Sequence, residues 1–142
     1  MKKITYGKTI YDSKEIGAVL KTLKYSTQMG NSVKKFENKI STLFSKKYGL
    51  MVNSGSSALI LALNAMGLKK GSEVIAPCLN FGTAISSIML SNLKPILVDC
   101  EIETLQIDVK KIESKITKKT KAILVPNLIG GIPNWKEIRK IA

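Results

Sequence analysis

The chain has 142 residues, and its 44% hydrophobic content is enough for one domain with a real core and too high for a disordered segment. No apolar run approaches the roughly 18 residues of a membrane span, and the basic N-terminus lacks a signal-peptide core, so we predict a cytoplasmic location and no membrane partner. Two cysteines and no histidine exclude a four-ligand zinc site and any Ser-His or Cys-His nucleophile pair, and no metal is expected.

The net charge of +13 comes almost entirely from lysine, since Arg139 is the only arginine among 23 basic residues. A lysine-rich proteome is the simplest interpretation, and attraction of an anionic phosphorylated substrate is the second. A non-catalytic nucleic-acid-binding module is the alternative of another class. Arginine forks beside stacking aromatics are missing, so no nucleic-acid partner is predicted.

Two helices are predicted in the first third of the chain. Apolar residues recur at helical spacing over 12–25, where Asp12 and Glu15 resemble a capping box. A polar break follows at 26–31, and a second apolar face runs from Val33 to Phe44 with lysines opposite.

From Tyr48 onward, short apolar runs alternate with helical stretches, which predicts βαβ units and a mostly parallel sheet with helices on both faces. The predicted strands are 49–53, 73–77, 95–99 and 121–126. The predicted helices are 56–66, 83–92, 109–116 and 135 onward. Cys78 and Cys100 are predicted to be free core residues. The last helix is still running at Ala142, so the α/β alternation stops in mid-pattern and a truncated chain is expected.

The turn Ser54-Gly55-Ser56-Ser57 joins a predicted strand to a predicted helix. Such a turn presents unpaired backbone N–H groups and the positive end of the helix dipole, which suit a phosphate dianion. On this signal alone, an ordinary N-cap at Ser56 is the more economical interpretation. Neither a P-loop nor a G-x-G-x-x-G fingerprint is present.

Phe81 follows the predicted strand 73–77, at the edge of the sheet where α/β proteins place ligands. An aromatic ring there can stack on a planar ligand, and a core residue closing the top of the sheet is the equal alternative.

The strings VNSGSSALILALNAMGLKKGSEVIAP, NFGTAISSIMLSNLKPILVD, TLQID and TKAILVPNLIGGIPNWKEIRKIA follow one another along the chain. Together they resemble the nucleotide-sugar aminotransferase family, often called the DegT family, whose members are fold-type-I enzymes dependent on pyridoxal phosphate. The resemblance covers about residues 6–142. It implies a truncated large domain of that fold, with residues 1–31 as an N-terminal helix and dimer or substrate-loop segment and 32–142 as the incomplete cofactor domain.

The resemblance also implies roles for individual residues. Ser56 and Ser57, beside Gly55, take the positions that bind the cofactor phosphate, and Phe81 takes the aromatic position that stacks on the pyridine ring. The loop at Gly30 and Asn31 matches a segment that borders the substrate pocket. Asn127 departs from the family, because many members carry histidine there.

In this family the Schiff-base lysine and the aspartate that pairs with the pyridinium nitrogen come later than Ala142, so no catalytic residue is expected in this chain. The resemblance implies transfer of an amino group, from a donor such as glutamate, to a keto-deoxysugar linked to a nucleotide, in polysaccharide or deoxysugar biosynthesis, by a homodimer. The alternative is the 3-dehydrase subgroup, which replaces the lysine by histidine and holds pyridoxamine phosphate.

Overall fold

The structure is a computed structural model that describes residues 7–28 and 30–142. It divides into two units, of which the first ends at Met51 and the second runs from Val52 to Ala142. The domain boundary expected from the sequence, between residues 31 and 32, stays a prediction. No helix in the described ranges is long and apolar enough to cross a membrane.

The first unit contains the two expected helices, α1 (Ser13–Tyr25) and α2 (Asn31–Leu43). The capping box predicted for α1 is confirmed, since Asp12 Oδ1 accepts from the Lys14 backbone N–H at 2.7 Å and Glu15 Oε2 accepts from the Asp12 N–H at 2.8 Å. These bonds satisfy backbone donors that the first turn of a helix leaves free. The helical spacing in α1 was therefore predicted correctly, although every residue of α1 is exposed.

The strand predicted at 49–53 is wrong, because these residues form no strand within the part of the chain that the structure describes. A strand needs a neighbour to satisfy its N–H and C=O groups. Here the Met51 N–H donates instead to Glu37 Oε1 at 2.8 Å, and Leu50 and Met51 stay exposed.

The second unit is built on three parallel strands, β1 (Glu73–Pro77), β2 (Lys94–Val98) and β3 (Thr120–Ile123), in the order β2-β1-β3. The central strand is buried at every residue, which is why its sequence reads as a continuous apolar run after Glu73. Helix α3 (Gly55–Ala65) precedes β1, α4 (Gly82–Leu90) joins β1 to β2, and α5 (Trp135–Ile141) follows β3. The predicted α/β class with a parallel sheet is confirmed.

Each face of the sheet carries its own apolar core, because successive side chains of β1 point to opposite faces. One cluster contains Leu63, Val74, Ala76, Ile88 and Leu93 and packs α3 and α4 on one face. The other contains Ile75, Val98, Ile107, Ile112 and Ile138, with α5 on the opposite face. Both faces of β1 are thereby covered by packed apolar side chains.

The predicted helix 109–116 is two short 3₁₀ turns, Val109–Lys111 and Glu113–Lys115. Each turn is closed by a bond between residues three apart, such as Lys111 N–H to Asp108 C=O at 3.0 Å. The Ser114 hydroxyl also donates to the Lys111 C=O at 2.9 Å, competing with helical pairing. Such short segments bury one anchor, here Ile112, without propagating an α-helix.

Candidate cofactor site

Ser54 is the N-cap of α3 and organises the turn Ser54-Gly55-Ser56-Ser57. Its backbone is extended, and its Oγ accepts a hydrogen bond from the Ser57 N–H at 3.1 Å. The hydroxyls of Ser54 and Ser57 lie 3.0 Å apart. The helix is therefore capped two residues before Ser56, the position that the economical interpretation of the sequence assigned to the cap.

Capping by Ser54 leaves two donors of the first turn available. Among the described residues, no acceptor approaches the backbone N–H of Gly55 or Ser56. These groups lie at the positive end of the dipole of an 11-residue helix. Together with the half-buried Ser56 hydroxyl they form a cradle for an anionic oxygen.

Phe81 lies beyond the carboxyl end of β1 and serves as the N-cap residue of α4 without a side-chain cap bond. Its side chain is 69% exposed, so it is not a core residue that closes the sheet. An exposed aromatic ring at this edge has an open face for a planar ligand.

A cavity of about 690 Å³ joins these features within the second unit. Gly55 and Ser56 contribute from the first turn of α3, and Asn80 and Phe81 from the loop between β1 and α4. The other walls come from the later turns of α3, the start of α4 and the segment after β3: Ala58, Leu59, Ala62, Thr83, Ala84, Leu124, Val125 and Pro126. Its volume and mixture of apolar walls with a few polar groups are typical of a cofactor pocket.

The structure brings Gly55, Ser56 and Phe81 to one cavity. Ser57 lies in the same turn, but its hydroxyl is engaged with Ser54 and does not line the cavity. Gly30 and Asn31 belong to the first unit, where they line a separate cavity of about 480 Å³ with the end of α1 and the residues that follow it. The role expected of each residue stays a prediction.

The places of Asn80 and of residues 124–126 at this cavity were not predicted from the sequence. Asn80 directly precedes Phe81, so its neighbour was the only available signal. Leu124 extends β3, with its N–H donating to the Ile75 C=O at 2.8 Å. That pairing carries the following residues to the same edge of the sheet as Phe81, which only the strand order reveals.

No charged side chain lines the cavity in the described ranges. Asp99, which follows β2 at the same edge of the sheet, has its carboxylate held by the Cys100 backbone N–H at 2.9 Å and by Lys111 Nζ at 3.1 Å. Both contacts lower the pKa of Asp99, and the hydrogen bond from the Cys100 N–H has the larger effect. Asp99 in turn raises the pKa of Lys111. The local charge is thus neutralised in an ion pair, so the groups of this cavity that could attract an anion are backbone N–H groups and the helix dipole.

Cys78 and Cys100 flank this ion pair. Both are free, as predicted, but the prediction that they are core residues is wrong. Cys78 is exposed and Cys100 half-buried, because each follows the end of a strand where the helical layers no longer cover the sheet.

Comparison with known proteins decides the family. Residues 9–142 match the DegT/DnrJ/EryC1/StrS aminotransferase family. The chain belongs to this family.

Individual relatives and a solved structure are similar to this chain over most of its length. The chain is 37% identical over 134 residues to GDP-4-keto-6-deoxy-D-mannose 3-dehydratase of Escherichia coli O55:H7, covering 90% of this chain and 34% of the relative. It is 41% identical over 113 residues to GDP-perosamine synthase of Escherichia coli O157:H7, covering 80% and 31%. The solved structure of the E. coli 3-dehydratase with bound hydrated PLP matches with a TM-score of 0.87 at 35% identity, covering 94% and 36%. The chain spans about a third of the length of these relatives.

The matched structures of the E. coli 3-dehydratase and of a relative from Streptococcus pneumoniae contain pyridoxal phosphate, and the residues present in this chain fit the phosphate end of that cofactor. Two free N–H groups and a serine hydroxyl form the cradle, and an exposed aromatic ring lies at the same cavity. Asn127, the position at which the resemblance implies a departure from the family, lies just after the cavity wall. Its Oδ1 accepts from Trp135 Nε1–H at 3.0 Å, so the oxygen is occupied within the fold.

Proposed function

We propose that this chain forms the cofactor-phosphate half of the active site of a pyridoxal-phosphate-dependent aminotransferase that acts on a nucleotide-linked keto-deoxysugar. One observation carries the proposal: the free N–H groups of Gly55 and Ser56 and the exposed ring of Phe81 border a single cavity. Family membership and the names of the matched relatives support the substrate class. The activity belongs to a longer protein, because the relatives are about three times as long.

Each residue of the cavity has a distinct task in this proposal. The Gly55 and Ser56 N–H groups and the Ser56 hydroxyl hold the phosphate dianion, and the Ser54–Ser57 pair keeps that turn rigid. Phe81 covers one face of the pyridine ring and excludes water from it. When bound, the cofactor supplies the electron sink and the amino-group carrier that the transfer needs. The +13 charge favours approach of an anionic nucleotide.

Further properties of the longer protein are proposed on the family's pattern. The Schiff-base lysine and the pyridinium-binding aspartate come from sequence beyond Ala142, glutamate is the amino donor, and the protein is a cytoplasmic homodimer. Gly30 and Asn31 border the nucleotide-sugar pocket. Sedimentation of the full gene product, meaning the protein with whatever sequence adjoins this chain, tests the dimer.

Cofactor binding by the full gene product tests the site. Ser57→Arg places a long side chain in the capped turn and should lower the affinity for pyridoxamine phosphate at least tenfold by bulk. Ser86→Arg is the matched control, because it adds the same side chain on an exposed residue of α4, outside the capped turn at the start of α3. Equal affinity in both variants would show that the phosphate is not held at this turn.

A second function, the 3-dehydratase reaction, is favoured by the 37% identity to that enzyme over 90% of this chain. Incubation of the full gene product with GDP-4-keto-6-deoxy-D-mannose and glutamate separates the two. A transaminase yields an amino sugar that retains the nitrogen of ¹⁵N-glutamate. A dehydratase yields a 3-deoxy sugar with no label, and a sugar left unchanged by either route contradicts both functions for this substrate.

A further inference from the structure

Asn80 has one half of its side-chain amide fixed and the other half without a partner. Its Oδ1 accepts the Phe81 backbone N–H at 2.8 Å. Because a backbone N–H can only donate, the atom facing it must be the oxygen, and the orientation of the amide is settled. Asn80 Nδ2 is buried and has no hydrogen-bond partner within residues 7–28 and 30–142.

A buried amide donor without an acceptor destabilises a fold, and such groups in native proteins call for an explanation. Asn80 lines the cavity that Ser56 and Phe81 border. The unpartnered group is a donor, so its partner must be an acceptor, and none of the residues that line the cavity bonds to it in the described ranges. An oxygen of a ligand bound in this cavity is the kind of acceptor that could pair with Asn80 Nδ2.

The second unit contains two other buried polar atoms without partners among the described residues, and they differ from Asn80 in location. Ser91 Oγ and Gln106 Oε1 are also buried without partners in the described ranges, but neither residue lines this cavity. Both are therefore suitable comparisons for the general cost of an unpartnered polar group. Asn80 alone of the three combines a fixed donor with a cavity wall.

We propose that Asn80 is a cofactor-binding residue whose Nδ2 donates to an oxygen of the bound phosphorylated pyridine cofactor. The inference rests on the proposed function and adds a contact to it. The hydrogen bond to Phe81 places the donor next to the stacking ring, so the position of the cofactor ring and the Asn80 contact are set by one loop. The acceptor is an oxygen of either the phosphate or the ring.

Calorimetric titration of the full gene product with pyridoxamine phosphate tests the contact. This form of the cofactor carries an amine, so it does not form imines with the 22 lysines. Asn80→Asp keeps the acceptor for the Phe81 N–H and replaces the donor by a carboxylate oxygen. It should weaken binding about tenfold or more, the range for a hydrogen bond to a charged group. Asn80→Ala should also weaken binding, whereas Ser91→Ala should bind as the native protein does.

The outcomes separate this inference from the proposed function. If the native protein binds, Phe81→Ala weakens binding and both Asn80 variants bind normally, Asn80 is no ligand and only the inference fails. If the native protein does not bind pyridoxamine phosphate, the proposed function and the inference both fail. Circular dichroism checks that each variant is folded. If Asn80→Ala does not fold, the test rests on Asn80→Asp, whose side chain has nearly the same shape as the native one.

Two further ligands identify the acceptor. Pyridoxamine lacks the phosphate, and inorganic phosphate lacks the ring. If Asn80→Asp lowers affinity for inorganic phosphate, the acceptor is a phosphate oxygen. If Asn80→Asp lowers the affinity for pyridoxamine alone, the acceptor is the hydroxyl oxygen attached to the pyridine ring. An effect on neither, with an effect on pyridoxamine phosphate, would assign Asn80 to the geometry of the joined molecule and overturn direct donation.

Discussion

Thr117 Oγ1 donates a hydrogen bond of 2.6 Å to Glu73 Oε2 at the amino-terminal edge of the sheet. Glu73 begins β1, its side chain is only 7% exposed, and its other oxygen lies 3.4 Å from Lys94 Nζ at the start of β2. Thr117 precedes β3. One buried carboxylate thus joins the beginnings of all three strands, opposite the edge where the cofactor cavity lies.

This contact predicts a specific pH dependence of stability. The Thr117 hydrogen bond, followed by Lys94, lowers the pKa of Glu73 below its ordinary value of 4.5. A carboxylate whose pKa is lower in the folded state stabilises the fold above the unfolded pKa, and the contribution is lost as the pH falls through the folded value. Glu73→Gln should therefore lower the Tm at pH 7, and the difference from the native protein should shrink below about pH 4.

Thermal unfolding followed by circular dichroism between pH 3 and 8 measures the effect. Glu103→Gln is the control, because it removes the same charge from an exposed residue. A Tm difference for Glu73→Gln that is equal at pH 3 and pH 7 would contradict an ionised, hydrogen-bonded Glu73.

We expect the substitution of Gly131 by alanine to destabilise the fold for steric reasons. A Cβ there would clash with Gln106 Nε2 and lie 3.1 Å from the Leu128 C=O. Gln106 is buried, and its Nε2 donates to the C=O groups of Thr104 and Leu128 at 3.2 and 3.1 Å. Gly131→Ala must displace this amide and should cost about 1–3 kcal/mol.

Urea unfolding measures the loss for Gly131→Ala. Gly82→Ala is the matched control, because a Cβ there meets no atom within 4 Å. Equal stability of the two variants would mean that Gln106 moves without losing its bonds.

The sheet was predictable where the sequence carries both a pattern and a boundary. Strand β1 has the predicted limits, since Gly71 precedes its apolar run and the loop of Asn80 follows it. The run 49–53 has the same local pattern, yet forms no strand in the described chain, because pairing is a long-range property that an apolar run alone cannot report. The helix predicted at 109–116 does not form for a local reason, because the Ser114 side chain competes for a backbone C=O group.

Part of the candidate site was also predictable, at the residues that follow a recognisable boundary in the sequence. Ser56 and Phe81 each follow a recognisable strand-to-helix or strand-to-loop transition, and family resemblance gave their proposed roles. Asn80 and Pro126 were missed because their place at the cavity depends on the order β2-β1-β3, and the sequence specifies neither strand order nor which amide group is left unpaired.

We expect the Cys78 thiol to be alkylated slowly, with the midpoint of the reaction rate at a higher pH than for an ordinary cysteine. Loss of solvation, the Cys100 thiol and the Asp99 carboxylate, whose Oδ1 lies 3.5 Å from Cys78 Sγ, together raise the pKa of the Cys78 thiol above its ordinary value of 9.0. Since the thiolate is the reactive species, the rate of modification by iodoacetamide should still be rising at pH 9.

Mass spectrometry of the peptide that contains Cys78 measures the rate across pH. Asp99→Asn removes a negative charge that disfavours the thiolate, so its midpoint should lie below that of the native protein. A native midpoint at or below pH 9.0 would contradict the raised pKa of Cys78, and a midpoint that Asp99→Asn leaves unchanged would mean that Asp99 does not act on Cys78 in solution.

We expect substitution of Phe81 to change the affinity for the cofactor but not the stability of the fold. Because its ring is 69% exposed, Phe81→Ala should leave the Tm of the cofactor-free protein nearly unchanged, whereas a core Phe→Ala change costs about 3–5 kcal/mol. If the ring stacks on the pyridine, the same variant should weaken pyridoxamine phosphate binding by about 1–2 kcal/mol. Phe81→Tyr, which keeps an aromatic face, should bind like the native protein, and Phe81→Leu, which keeps only apolar area, should fall between Tyr and Ala. A lower Tm with unchanged affinity would reverse the assignment and make Phe81 a packing residue.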